Sequence, residues 1–205
     1  MSHPVTTLIE SRFSANHYDP EQRMDDDEIT ELVRLATLAP TAFHLQNWKF
    51  IAVRTPQAKA RLKAVCYAQH KVVDAAVTFI ICGTLGAHEG LAAALQPSVD
   101  AGIVEPSLVD RWVGMARQSH QGNPVLQRDE AVRSASLAAM TLMLAAEARG
   151  WATGPMSGFD PSGVAREFGL ADNELPVILL TVGRSAPGNW PQKPRHPVHQ
   201  VLAFA

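Results

Sequence analysis

Two short basic elements lie near opposite ends of a 205-residue chain: Arg12 and Ser14 in SRFSANHYDP, and Lys193 and Arg195 in QKPRHP. Arginine forks and lysine ammonium groups are the side chains suited to gripping anions. Two further polar segments stand between them. Thr41, Phe43, His44 and Gln46 occur in APTAFHLQNWKF, and Gly154, Pro155, Met156, Ser157 and Gly158 read as a turn ahead of Asp160. Taken singly, each has a plain reading, the arginines as surface charges and GPMSG as a loop. No local catalytic signature competes with this scattered set. G-x-G-x-x-G, the P-loop, H-E-x-x-H and C-x-x-C are all absent, and Gly83, Gly86 and Gly90 have the wrong spacing for a dinucleotide turn. His196 and His199 are separated by Pro197 with no third ligand near, so no metal site is expected.

The elements that must position these residues follow from periodicity. Asp25 to Glu28 is an acidic cluster preceding Ile29, Leu32, Val33 and Ala36 at helical spacing, so a helix is predicted to start there and to be stopped by Pro40. It is the first helix of this reading, with Arg12 and Ser14 ahead of it. Phe50–Val53, Val77–Cys82 and Val177–Val182 read as strands, the latter two as apolar runs covered on both faces. Pro56–Val65 reads as an amphipathic helix with Lys59, Arg61 and Lys63 on its wet face, residues 96–106 as a loop, and Pro106–Ser119 as a helix. Residues 128–149 form a long helix whose stretch SASLAAMTLMLAA carries no charge. That stretch is short of the roughly 20 residues of a membrane span. An apolar surface of this kind is buried in a core or between subunits. Asp160 caps a short helix beginning at Pro161 and ended by Gly169. The Pro-rich end keeps Trp190, Val198, Val201, Leu202 and Phe204, too apolar for a solvated tail, and reads as an arm that packs on a partner subunit.

Composition narrows the class. Hydrophobic residues make up 46% and charged residues 19%, as in an ordinary globular protein, and the net charge of −2 gives no reason to expect nucleic acid or an anionic membrane as partner. Two cysteines, Cys66 and Cys82, exclude a disulfide scaffold, read as buried structural thiols and suit a reducing cytoplasm. No secretion signal is read at the N-terminus. The expectation is a single α+β domain over 1–205, a small mixed sheet wrapped by more helix than strand.

Taken together, SRFSANHYDP, the acid-led helix, LATLAPTAFHLQNWKFIAV, GWATGPMSGFDP, LPVILLTVGRS and KPRHP resemble the FMN-dependent nitroreductase family, from about Glu10 to about Pro197. The resemblance is strongest to its NAD(P)H nitro- and quinone-reductase branch. It implies the nitroreductase fold, an intertwined homodimer with a swapped C-terminal arm, and FMN sites built from both chains. By that resemblance Arg12 and Ser14, with Phe13 and Asn16 beside them, and Lys193 and Arg195 hold the FMN phosphate and ribityl chain. Phe13 stands where the family often has a second arginine, and Asn16 where it often has a cation. Pro40, Thr41, Ala42, Phe43 and His44 match the loop that covers the flavin from the other subunit. Gln69 and Lys71 match the contacts to the pyrimidine edge, Pro155, Met156, Ser157 and Gly158 the turn near flavin N5 and O4, and Ser134 a polar contact to the ring. Phe43, His44, Tyr67 and Trp112 are the candidate substrate pocket for flat acceptors. The implied activity passes electrons from NAD(P)H through flavin N5 to a small-molecule acceptor, a nitroaromatic or a quinone, in ping-pong fashion, with no side chain as nucleophile. Reduction of a small aldehyde or an activated alkene, and flavin binding without turnover, remain open alternatives.

Overall fold

A computed structural model describes residues 3–205. A four-stranded sheet stands at its centre, with β1 (Trp48–Val53), β2 (Val77–Thr84), β3 (Ala152–Met156) and β4 (Glu174–Gly183) in the order β1-β2-β4-β3. All three strand pairings are antiparallel, where a mixed sheet is expected from the sequence. Among the described residues the one parallel contact is an isolated bridge between Ser14 and Thr153, which lays the Arg12–Asn16 segment along the β3 edge.

Helices cover both faces of the sheet. α2 (Asp26–Ala36) and α7 (Pro124–Ala148) pack on one face with Leu32, Ala36, Ala135, Ala139, Leu142 and Ala146 against Val77, Phe79, Ile81, Leu180 and Val182. α3 (Pro56–Ala64), α4 (Lys71–Asp74) and α8 (Pro161–Phe168) cover the other, where Leu62, Val72 and Val164 meet Ile80, Cys82 and Leu179. α5 (Leu91–Asp100) and α6 (Pro106–His120) carry a third apolar cluster beyond the sheet. Alternate residues of β2 and β4 thus serve different cores, which is why both strands read as unbroken apolar runs. The acid-led helix starts as the sequence predicts: the Asp25 carboxylate accepts the Glu28 backbone N–H at 2.7 Å. By length and composition α7 could cross a membrane, but its buried face against α2, β2 and β4 makes it a core helix.

Several local readings change. A helix, α1 (Pro4–Ser11), precedes the acid-led one, and Arg12 is its C-cap. α5 runs on through Pro97 to Asp100, where a loop is expected over 96–106. An interior proline costs about 3 kcal/mol, but burying Leu91 and Leu95 returns about 1.5–3 kcal/mol each, and both are buried. Gly154-Pro155-Met156 is not a turn but the body of β3, leaving only Ser157 and Gly158 beyond it. As an edge strand, β3 tolerates Pro155. Lys59 is not on a wet face. Its ammonium is buried and donates to the Val73 carbonyl at 3.2 Å and to the Ala75 carbonyl, and desolvation lowers its pKa.

The two chain ends meet at the β3 edge. The Ala15 N–H donates to the Thr153 carbonyl at 2.9 Å. Gly154 permits this approach, because a Cβ there would lie 2.4 Å from the Ala15 carbonyl oxygen and 2.7 Å from the Tyr18 hydroxyl. The buried Tyr18 hydroxyl bonds the Thr181 Oγ1 at 2.8 Å, and burial raises its pKa. Asn189 then clasps the C-terminal arm onto the same segment. Its Oδ1 accepts from the Asn16 and His17 N–H groups at 2.7 and 3.0 Å, and its Nδ2 donates to the His17 carbonyl at 2.8 Å. Gln192 Nε2 donates to the Arg12 carbonyl at 2.9 Å.

Each net hydrogen bond of this clasp is worth about 0.5–1.5 kcal/mol. Asn189→Ala is therefore expected to free the arm, and limited proteolysis will cut it several-fold faster after Ala186. An unchanged cleavage rate contradicts the clasp. Burial pushes the Cys66 thiol up to about 11 and the Cys82 thiol up to about 12. Neither is expected to react with a thiol reagent at pH 8 until the chain is unfolded; fast reaction of the native protein contradicts that packing.

Candidate functional site

The clasp opens a cleft of about 110 Å³ between the two termini, lined by Arg12, Phe13, Ser14, Asn16, Trp190, Pro191, Gln192, Lys193 and Arg195. Both sequence-predicted basic elements therefore face one space. Arg12 Nη1 donates to the Phe13 carbonyl at 3.1 Å, and Arg195 Nη1 to the Lys193 carbonyl at 2.5 Å. Lys193 Nζ stands 4.9 Å from the centroid of the Trp190 ring. Among the described residues, none of these three cations is paired with a carboxylate within 4.0 Å. A guanidinium has five N–H donors, so most of the donors remain available to the cleft. The arrangement suits a multiply charged anion, which can take fork-shaped bonds from both arginines at once.

Two further polar contacts involve the candidates at 69–71. Lys71 Nζ donates to Asn16 Oδ1 at 3.2 Å, and desolvation lowers its pKa. Gln69 Nε2 donates to the Gly158 carbonyl at 2.8 Å, tying the loop before α4 to the end of β3. Pro155 and Ser157 stand on either side of Met156, which points into the core and is buried. Asn16 is thus tied to Lys71, and Gln69, two residues earlier, to Gly158.

The remaining candidates lie elsewhere. Pro40, Thr41, Phe43, His44 and Trp112 line a cavity of about 650 Å³ with Leu95, Ser98, Ile103 and Val104, while Ala42 packs on the apolar cluster beneath. This cavity shares no lining residue with the cationic cleft. Tyr67 is 73% exposed and lines neither, and Ser134 is buried on α7 and lines neither. The non-glycine residues with left-handed backbone, Phe43, His44, Gln46, Tyr67 and Ala68, all fall in the loops ahead of β1 and α4. Each costs about 1–3 kcal/mol and persists only where its surroundings enforce it. Around Phe43 that support includes the Thr41 hydroxyl accepting the Gln46 N–H at 3.1 Å and the buried Leu45. Asn189 and Gln192 were not singled out from the sequence. The only signal was two amides amid the prolines of an arm already read as packed.

Comparison with known proteins identifies the family. The Nitroreductase family model matches residues 9–184. YodC of Bacillus subtilis, named for an NAD(P)H nitroreductase, is 31% identical over 189 residues, 92% of this chain and 90% of that protein. A protein from Exiguobacterium sibiricum, described as a nitroreductase and solved in complex with FMN, superposes with a TM-score of 0.91 at 25% identity, covering 100% of this chain and 99% of that one. The CLA biosynthesis enone reductase of Lactiplantibacillus plantarum is 26% identical over 200 residues, 96% of this chain and 90% of that protein. The family match spans both the sheet and the N-terminal basic element, and the chain belongs to the nitroreductase family.

Proposed function

We propose that this protein is an FMN-dependent oxidoreductase that passes electrons from NAD(P)H to a nitroaromatic or quinone acceptor, working as a homodimer in the cytoplasm. The observation that carries the reading is the cleft on which Arg12, Lys193 and Arg195 converge without a carboxylate partner. A phosphomonoester is the anion that this donor set fits, being doubly charged and open to forked hydrogen bonds. Arg12, Ser14, Lys193 and Arg195 would hold that phosphate, with Phe13 and Asn16 walling the sugar-alcohol chain. Gln69, Lys71 and the segment Pro155–Gly158 would meet the ring system. Bound FMN supplies the hydride chemistry, accepting from a nicotinamide and delivering to the acceptor.

The chain's own residues bind and orient. Lys71 brings a partly buried ammonium whose only hydrogen-bond partner among the described residues is Asn16 Oδ1, so it can favour negative charge at a neighbouring ring edge. The loop Pro40–His44 shares no cleft with the cationic site in one chain, which supports its acting on the site of a second copy. The exposed apolar side chains Val198, Val201, Leu202 and Phe204 on the arm, with Leu137 and Met140 on α7, supply a surface for that copy. A single cavity then serves the nicotinamide and the acceptor in turn, which is the ping-pong order.

An activated alkene is the second reading. The 650 Å³ cavity is lined chiefly by Pro40, Phe43, Leu95, Ile103, Val104 and Trp112 and by no lysine or arginine. It suits an uncharged, apolar acceptor better than the carboxylate of a semialdehyde acid, for which it has the hydroxyls of Thr41 and Ser98 and the His44 ring but no lysine or arginine. The enone reductase among the relatives supports the same reading.

Purified protein supplied with FMN is expected to hold it, turn yellow and bleach on anaerobic addition of NADH or NADPH. A protein that takes up no FMN overturns the reading, and bound FMN that neither nucleotide reduces leaves only flavin binding. Arg195→Ala is expected to weaken FMN binding by about 1.5–3 kcal/mol, the worth of a charge-assisted contact. An unchanged dissociation constant by fluorescence titration removes Arg195 from the site.

A further inference from the structure

Beneath the Phe43 loop lies a polar cluster that the proposed chemistry does not use. Asn47, His88 and His120 are 2%, 6% and 4% exposed. Asn47 Oδ1, His88 Nδ1 and His120 Nε2 are buried with no hydrogen-bond partner among the described residues. The three side chains line one cavity of about 10 Å³. Buried polar groups are nearly always satisfied, and a cavity of this size admits about one water molecule.

The neighbouring bonds decide what can satisfy them. His120 Nδ1 lies 2.9 Å from the Ala116 carbonyl, which can only accept, so Nδ1 carries the proton. The Ser119 hydroxyl, 2.9 Å from the same nitrogen, has its own acceptor in the Met115 carbonyl at 2.9 Å. In the neutral ring His120 Nε2 is then a bare acceptor, as is Asn47 Oδ1. Gln127, which also lines the cavity, accepts from the Gly86 N–H at 3.2 Å and donates to the His120 carbonyl at 2.8 Å. Glu130, the one carboxylate in the lining, pairs with Arg133. Two acceptors therefore face an occupant that must donate twice. Water does so and keeps a lone pair for His88, provided His88 also carries its proton on Nδ1.

We propose that Asn47, His88 and His120 hold one buried water molecule, and that this hydrated triad is a positioning device for Phe43 in the acceptor cavity. The water joins three separate segments. Asn47 ends the loop, and its carbonyl accepts the Thr84 N–H at 3.0 Å. His88 lies in the one-turn helix Ala87–Gly90 and stacks on His120 at 5.5 Å and 25°. His120 ends α6 and presents an edge to the Phe43 ring at 6.3 Å and 75°. Phe43 sits at φ 52°, a backbone that needs such enforcement. The hydration stands independently of the flavin reading; its effect on acceptor turnover rests on that reading.

A high-resolution crystal structure of the flavin-loaded protein and long-range proton–nitrogen NMR of its histidines test the proposal. Expected are a single ordered oxygen at about 2.7–3.2 Å from the three atoms and Nδ1–H tautomers for both His88 and His120. A proton on His120 Nε2, direct contact between the three atoms, or a cation in their midst overturns the hydration, whether or not the protein proves to be a flavoenzyme. His120→Phe keeps a ring beneath Phe43 but removes the lone pair. It is expected to lose the water and raise the acceptor KM several-fold while kcat stays within about twofold, and His120→Gln restores part of the loss. An unchanged KM, or an equal loss in kcat, overturns the positioning role.

Discussion

Three positive charges without a negative partner, gathered from opposite ends of one chain, are the constraint on which this molecule turns. Arg12, Lys193 and Arg195 repel one another, and nothing in their own attraction would close the cleft they line. Neutral contacts close it instead. Asn189 and Gln192 bond to the backbone of Asn16, His17 and Arg12, and the Tyr18 hydroxyl anchors that backbone to Thr181. The fold therefore holds three like charges around one cleft by neutral contacts, an arrangement that a bound anion would stabilise further.

The rest of the architecture serves that edge. β3 stands at the margin of the sheet, where a residue without a side chain at 154 lets Ser14 and Ala15 lie directly against it. β2 and β4 are shared by two cores, so the strands behind the site are packed on both faces. The strained loops before β1 and α4 rest on that frame, and their left-handed residues are affordable only because buried neighbours such as Leu45 and Cys66 flank them. The apolar cavity and the cationic cleft are separate within one chain, and in the proposed reading a second copy would bring them into one site.

Much of this was legible in the residues. The strands around Phe50, Phe79 and Leu180, the capped helices at Asp25 and Asp160 and the burial of both cysteines follow from apolar runs, caps and turn signals. The convergence of Arg12 with Arg195 was legible only through the family resemblance, since no local pattern joins positions so far apart. What stayed hidden was tertiary. Pro97 sits in a helix because Leu91 and Leu95 are buried, Pro155 sits in a strand because that strand is an edge, and Lys59 turns inward because two carbonyls need a donor. The buried histidines give no sequence signal, as a lone histidine on a helix end is ordinary surface until the fold stacks a second one upon it.

The claim that the cationic cleft exists for a phosphate is tested most directly by titrating the protein with FMN and with riboflavin at several salt concentrations. The two ligands share the ring and differ only in the charged group. The account predicts that riboflavin binds at least about a hundredfold more weakly, as two charge-assisted contacts imply, and that FMN affinity falls with added salt while riboflavin affinity does not. Equal affinities for the two, insensitive to salt, would contradict it.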